Sequence, residues 1–291
     1  MAEWLVSRCQ NDKQYYFVGL LRVVSLQRNM PDSPLAQAFG EFAVVADRSR
    51  SRDLGRQFPA EGLLRAFEFD SHKPIQFGAS IGRSMMTIRV LTRTDEYVLN
   101  IALQRLLSVS HRSLDPPFGL WTKCNAVFAD YFLKNWQTRH EPLAFMLYDS
   151  PPTLPAGAPV FVHSDKNMRL LATYRRSEYI AGYKPNVDAD ERLSERERFW
   201  SNYRADTISP PTKDDFDTFW DAQRGVRSMF VIDSVIEFPS PLTFKMYGRA
   251  LEWGYPMGVG YRYLNFSQSV LLLRQAGLSE EKFKLYISCI D

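Results

Sequence analysis

Three groups of side chains have types and spacings that chemistry could use. The first is a run of arginines, Arg48, Arg50, Arg52 and Arg56, in the segment RSRSRDLGR. Guanidinium groups grip phosphate oxygens by charge-assisted, often bidentate hydrogen bonds. Asp47 and Asp53 dilute that charge, and an ordinary solvated loop would look the same. Arg83 and Arg89 lie near the small residues Gly82 and Ser84, where backbone can approach a ligand closely. The second group is aromatic: Trp253, Tyr255, Tyr261 and Tyr263, interleaved with Gly254, Gly258, Gly260 and Arg262. Bases taken out of a stack are held between such faces, although alternating tyrosines also line the core side of a strand. The third is the strand end APVFVHSDKN, residues 158 to 167, which closes on His163, Ser164, Asp165, Lys166 and Asn167. Asp165, supported by Asn167, could activate water or stabilise an oxocarbenium-like sugar as an N-glycosidic bond breaks. Asp149, after the run LAFMLY, is a second such carboxylate. A plain turn is the competing reading, since Ser, Asp and Asn favour turns.

Other chemistry is excluded by motif. Cys9, Cys124 and Cys289 are far apart, and His72, His111, His140 and His163 are scattered. No metal-ligand spacing exists, so no metal and no cofactor is expected. The chain lacks a P-loop, a dinucleotide-binding glycine motif and a nucleophile elbow. It also lacks the zinc-deaminase signature. No apolar run reaches membrane-spanning length, and Met1 to Asn11 does not read as a signal peptide. The expected setting is cytoplasmic, with no membrane partner.

Elements must hold these groups in place. Tyr15 to Ser25, Phe42 to Val45 and Met85 to Leu91 have strand composition. A helix is predicted from Asp95 to Val109, capped by Thr94 or Asp95, and another from Lys123 to Gln137. Leu143 to Tyr148 and Pro159 to His163 read as buried strands around a proline-rich loop, continued by Met168 to Tyr174 and Glu178 to Tyr183. Two amphipathic helices are expected within residues 186 to 221. Ser228 to Phe238 is a further strand, and Ser267 is expected to cap a short helix ending before Gly277.

The 291 residues are 45% hydrophobic, 24% charged and 14% aromatic, the profile of a folded chain. Three parts are expected: 1–111, β-rich; 112–226, α/β and helical; 227–291, β-rich. The net charge is only +3, but it averages unlike segments. Residues 186 to 221 hold ten acidic and five basic residues, so the rest carries +8. That surplus is mostly arginine, 26 against ten lysines, the cation better suited to phosphates and base edges. Codon bias explains the count equally well.

Two segments share an order of features. Lys73 to Leu103 and Ser240 to Leu273 each run from a proline through a phenylalanine and Gly-Arg to a β-like run and a helix. Phe230 to Val235, Pro241 to Phe244, and Tyr261 to Leu264 before Ser267 resemble the strand order of the PUA-like superfamily, in particular EVE-type domains. The resemblance implies an α+β fold with one or two PUA-like mixed β-barrels and a helical central insertion. Such domains bind RNA or modified DNA bases, some of them in bacterial antiviral systems. Three functions stay open. One is a DNA-binding reader of a flipped, modified base, with Trp253, Tyr255, Tyr261 and Tyr263 as its pocket. Another is a DNA glycosylase acting on a base such as glucosylated hydroxymethylcytosine, through Asp165, Asp149 and Asn167. The third is a non-catalytic protein-interaction scaffold.

Overall fold

The computed structural model describes residues 2–31, 33–34, 37, 41–55, 58–70, 73–76, 79–85, 89–108, 116–124, 126–140, 142–147, 150–165, 167–179, 228–254 and 260–288. Arg56, Asp149, Tyr255 and the helices expected within 186 to 221 lie outside the described residues. The chain divides into two compact units, Met1–Leu114 and Asp115–Asp291.

In the N-terminal unit, β1 (Ala2–Arg8) and β2 (Tyr15–Arg28) pair antiparallel. The other edge of β2 takes β4 (Arg52–Asp53) at Gly19 and Leu20, then β3 (Phe42–Ala46) from Val23 to Arg28. Aromatic and β-branched residues favour this pleated surface. Its buried side centres on Phe17, which meets Trp4 edge-on at 5.6 Å and Phe58 at 5.0 Å. The helices are α1 (Glu61–Ala66), α2 (Ile81–Ser84) and α3 (Arg93–Ser108). The expected helix is therefore present, but its cap is Thr92, not Thr94 or Asp95. Thr92 Oγ1 accepts from the Asp95 backbone N–H at 3.0 Å, and the Asp95 carboxylate accepts from Thr92 N–H at 3.2 Å, a capping box. That buried carboxylate also accepts from Phe69 N–H at 3.0 Å, tying the helix start to the segment before it. The described residues of the expected strand Met85 to Leu91 are not in a strand.

The C-terminal unit is built on a six-stranded sheet in the order β10-β5-β7-β8-β9-β6. Its strands are β5 (Gly119–Cys124), β6 (Leu143–Leu147), β7 (Pro159–Ser164), β8 (Asn167–Tyr179), β9 (Ser228–Thr243) and β10 (Tyr261–Leu264). Only the β5–β7 pair is parallel. The β8–β9 ladder shifts register at three places, and Ser234 sits in one of them with φ 50°. Each bulge adds twist and bends the strand, so this sheet curls. Among the described residues no pairing joins β6 to β10. The α+β class holds, with an open curled sheet.

Side chains alternate across the sheet. One face carries Leu120, Val160, Val162, Leu170 and Ala172 under α4 (Ala126–Arg139). There Phe145 stacks on Phe230 at 4.9 Å and Phe132 meets Phe145 edge-on. The opposite face presents Trp121, Phe161 and His163. The remaining helices are α5 (Phe244–Ala250), α6 (Phe266–Gln275) and α7 (Glu280–Ser288). The α6 cap is Asn265, in a full capping box with Gln268, and not Ser267. Gly119 is required by a close approach: a Cβ there would lie 2.7 Å from Ser269 Oγ and 3.0 Å from the Pro159 carbonyl.

Candidate functional site

The arginine run folds as a turn between β3 and β4, held by its own backbone. Asp47 Oδ1 accepts from Ser49 N–H at 2.9 Å and from the Ser49 hydroxyl at 2.7 Å. The Ser49 hydroxyl is the main reason that this carboxyl stays below the usual carboxylate range. Ser51 Oγ donates to the Asp47 carbonyl at 2.7 Å and accepts from Arg22 N–H at 3.0 Å, while Asp47 N–H donates to the Arg22 carbonyl at 2.9 Å. This lattice draws Arg22, in β2, beside Arg48, Arg50 and Arg52. All four are exposed, and none of their guanidinium groups has a hydrogen bond or ion pair among the described residues. Other arginines are used differently. Arg65 binds Glu61 at 2.9 Å, and Arg169 bridges Asp130 at 2.8 Å and Glu237 at 2.9 Å.

The remaining expected cations separate. Arg83 is exposed on α2. Arg89 is half-buried, donates to the Ser84 carbonyl at 2.7 Å and the Lys73 carbonyl at 3.0 Å, and lies 4.8 Å from the Phe69 ring centre. Its fork serves the local fold.

The aromatic group of the C-terminal unit is divided by the pleat. Arg262 pairs with Trp121 across the β10–β5 ladder, and Tyr261 and Tyr263 pair with Thr122 and Leu120. Tyr261 and Tyr263 therefore stand on the α4 side. There Tyr261 Oη donates to the Ser150 carbonyl at 2.8 Å, and Tyr263 Oη accepts from Thr153 N–H at 2.8 Å. Tyr174 and Ser177 add hydrogen bonds to the Pro152 carbonyl at 2.9 and 2.6 Å. Together they pin the proline-rich loop. Trp253 is on the opposite face, edge-on to Trp121 at 5.9 Å, with the Arg262 guanidinium 5.1 Å from its ring centre. Trp253 and Arg262 are half-buried and form a cation–π pair open in part to solvent.

Beneath that pair lies a buried polar chain that the sequence did not signal. Trp121 Nε1–H donates to Tyr247 Oη at 3.2 Å, and Tyr247 Oη contacts His163 Nδ1 at 2.9 Å. His163 Nε2 lies 3.0 Å from the Asp165 carbonyl. Indole nitrogen only donates, so the tyrosine proton is free to go to Nδ1, and Nε2 carries the imidazole proton. Every atom then has a partner with the ring neutral. Burial, with the nearby Lys123 charge, pushes the His163 pKa below its ordinary 6.5, against the pull of the Asp165 carbonyl and carboxylate. The unfolded state consequently takes up the proton first as pH falls. The contribution of His163 to stability is complete above about pH 6.5 and declines below it, towards the folded-state pKa. Urea midpoints measured from pH 8 to 5 are expected to fall in that lower window; a flat profile would contradict the neutral ring.

The strand-end carboxylate is at a hairpin tip. Ser164 pairs with Asn167, and Asp165, beyond the end of β7, lies in a turn with φ 52°. Asp and Asn tolerate this conformation. Asp165 is exposed and Asn167 is half-buried at the start of β8. Among the described residues no group of three or more His, Cys, Asp or Glu could hold a metal ion, and no helix there is long and apolar enough to cross a membrane. Cys124 is not poised as a nucleophile: burial, then the Asp165 and Asp130 charges, push its thiol up to about 12. Iodoacetamide at pH 8 is expected to leave Cys124 unlabelled in the native protein and to label it in urea, read by peptide mass spectrometry.

No protein-family model matches the chain, and no curated protein matches it. In solved structures it is similar to ASCH from Zymomonas mobilis, with 9% identity and a TM-score of 0.38 over 54% of this chain and 94% of that one. A serine-to-alanine mutant of that protein gives 12% identity and a TM-score of 0.38 over 55% and 99%. A tyrosine-to-phenylalanine mutant gives 9% and 0.39 over 54% and 96%.

Proposed function

We propose that this chain binds nucleic acid, and that its N-terminal unit takes phosphates on Arg22, Arg48, Arg50 and Arg52. The observation that carries this reading is that the turn's backbone is fixed by hydrogen bonds while its guanidinium groups are unpartnered among the described residues. Cations that make no ion pair among the described residues, on a turn already fixed by hydrogen bonds, meet phosphates without first breaking a close pair or ordering a loop. Arg83 is a further exposed cation of the same unit.

The finer reading is recognition of a modified base in DNA. Its support is the Trp253–Arg262 cation–π pair, an indole face beside a planar donor fork that a base could join. Tyr261 and Tyr263 would act here by placing the loop that starts at Ser150. Fluorescence anisotropy of the full chain with duplexes carrying cytosine, hydroxymethylcytosine or its glucosylated form tests both levels. Binding with a log-affinity slope of about −3 to −4 against log salt is expected from four phosphate contacts. Preference for one modified duplex, lost in Trp253→Ala, supports the base reader. Alkali-labile sites in any duplex would move the function to glycosidic hydrolysis and make Asp165, Asn167 and Asp149 the residues to substitute. Absence of binding would leave the interaction scaffold.

A further inference from the structure

Beyond Arg22, strand β2 loses its neighbour on one side. The β1 ladder ends at the Ala2–Arg22 pair, and from Val23 to Arg28 the described residues pair β2 with β3 alone. The result is a two-stranded ribbon projecting from the root that holds the arginine turn. Its side chains are unlike those of a solvated hairpin. Val24 is 69% exposed, Leu26 68% and Val44 37%, and Met30, two residues past the end of β2, is 79% exposed. Leu26 and Val44 are cross-strand partners on one face, and Val24, two residues before Leu26, is the extra residue of a bulge. Single exposed apolar residues need no explanation, but a group on one short ribbon does.

We infer that this ribbon enters the major groove of double-stranded, B-form DNA, an inference that rests on the nucleic-acid reading above and names its substrate. The dimensions fit. Six residues extend roughly 20 Å at about 3.3 Å each, and the groove, about 12 Å wide and 8.5 Å deep, admits a two-stranded ribbon. Charge complementarity fits as well. The ribbon's root carries Arg22, Arg48, Arg50 and Arg52, whose guanidinium groups make no hydrogen bond or ion pair among the described residues, suited to the phosphates that flank a groove. Its one described acidic residue, Glu41, is already paired with Arg28 at 2.5 Å, and Asp47 is held in its turn. A second copy docked on the same face would bring a second set of the same arginines, with no free carboxylate cluster on the described ribbon to receive them. The apolar tips then have a chemical partner: the substituent at C5 of a pyrimidine, which projects into the major groove. A-form RNA offers no such partner, because its major groove is deep and narrow.

The test compares the full chain with its Val24→Ser/Leu26→Ser variant. Both positions are more than two-thirds exposed, so folding is retained, as circular dichroism would verify. The probes are a thymine-containing DNA duplex, the same duplex with uracil in place of thymine, and the matching RNA duplex. The natural chain is expected to bind the thymine duplex about tenfold more tightly than the uracil duplex or the RNA. The variant is expected to bind both DNA duplexes equally, at the weaker level, with an unchanged salt slope. Equal binding of all three probes by both proteins would overturn the groove inference and leave phosphate binding intact. No binding to any probe would remove both. A concentration-dependent dimer of the natural chain that the variant abolishes would assign the ribbon to self-association instead.

Discussion

Replacing Tyr247 with Phe is expected to cost about 2–4 kcal/mol of stability, because one hydroxyl serves two buried partners. The ring itself stays, so no cavity opens and packing against Phe244 and Trp253's neighbour Trp121 is retained. What is lost is the acceptor for Trp121 Nε1–H at 3.2 Å and the donor to His163 Nδ1 at 2.9 Å. Tyr247 and Trp121 have no measurable exposure and His163 has 4%, so water cannot replace either bond. Each orphaned buried group costs about 1–3 kcal/mol, more than the net value of an ordinary hydrogen bond. The measurement is the urea midpoint of the C-terminal unit at pH 7.5, with an unchanged slope showing that the same surface unfolds. Tyr263→Phe is the internal comparison. It also removes a hydroxyl that accepts a hydrogen bond, from Thr153 N–H, but Tyr263 is 40% exposed and water can take its place. That change is expected to cost under about 1 kcal/mol. Equal costs for the two substitutions would mean that the buried chain is not continuous.

Removing Arg48, Arg50 and Arg52 together, each to Ala, is expected to flatten the salt dependence of nucleic-acid binding by about 2.7 in log–log slope. That follows from about 0.9 counterion released per phosphate contact, and at physiological salt it corresponds to roughly a hundredfold weaker binding. Stability should change little, since these side chains are exposed and their guanidinium groups have no partner among the described residues. Arg169→Ala supplies the contrast. It breaks the bridge from Asp130 on α4 to Glu237 on β9, and it should leave the salt slope unaltered. A triple variant that keeps the natural slope would place the phosphate contacts elsewhere.

The legibility of this chain follows from how local each signal is. Tyr15 to Ser25, Leu143 to Tyr148, Pro159 to His163 and Tyr261 to Leu264 were readable as strands because β-branched and aromatic residues crowd there, and strands β2, β6, β7 and β10 lie over them. β5 was not. Its first four residues, Gly119 to Thr122, are buried on both faces beside the parallel β7, so they show no alternation, and Lys123 and Cys124 looked like the start of the next helix. β1 and the helices α5 and α7 were also missed, each being a short run whose apolar face is defined by the partner it covers. The caps at Thr92 and Asn265 lay two or three residues from those expected, because several neighbouring side chains can cap and only the chain path selects one.

The same distinction governs the candidate sites. The sequence by itself determined that arginines alternate through residues 48 to 52, that Asp165 ends a strand, and that metal-ligand and nucleotide-binding motifs are missing. These are properties of neighbours along the chain. The tertiary structure decided which of those groups keep company. It brought Arg22 to the arginine turn through Ser51, 29 residues away. It put Trp253 and Arg262 on one side of the sheet and Tyr261 and Tyr263 on the other, because successive side chains of a strand point to opposite faces. It joined Trp121 to Tyr247 across 126 residues, a pairing without local trace, since a buried hydrogen bond is specified by the fold that excludes water from it.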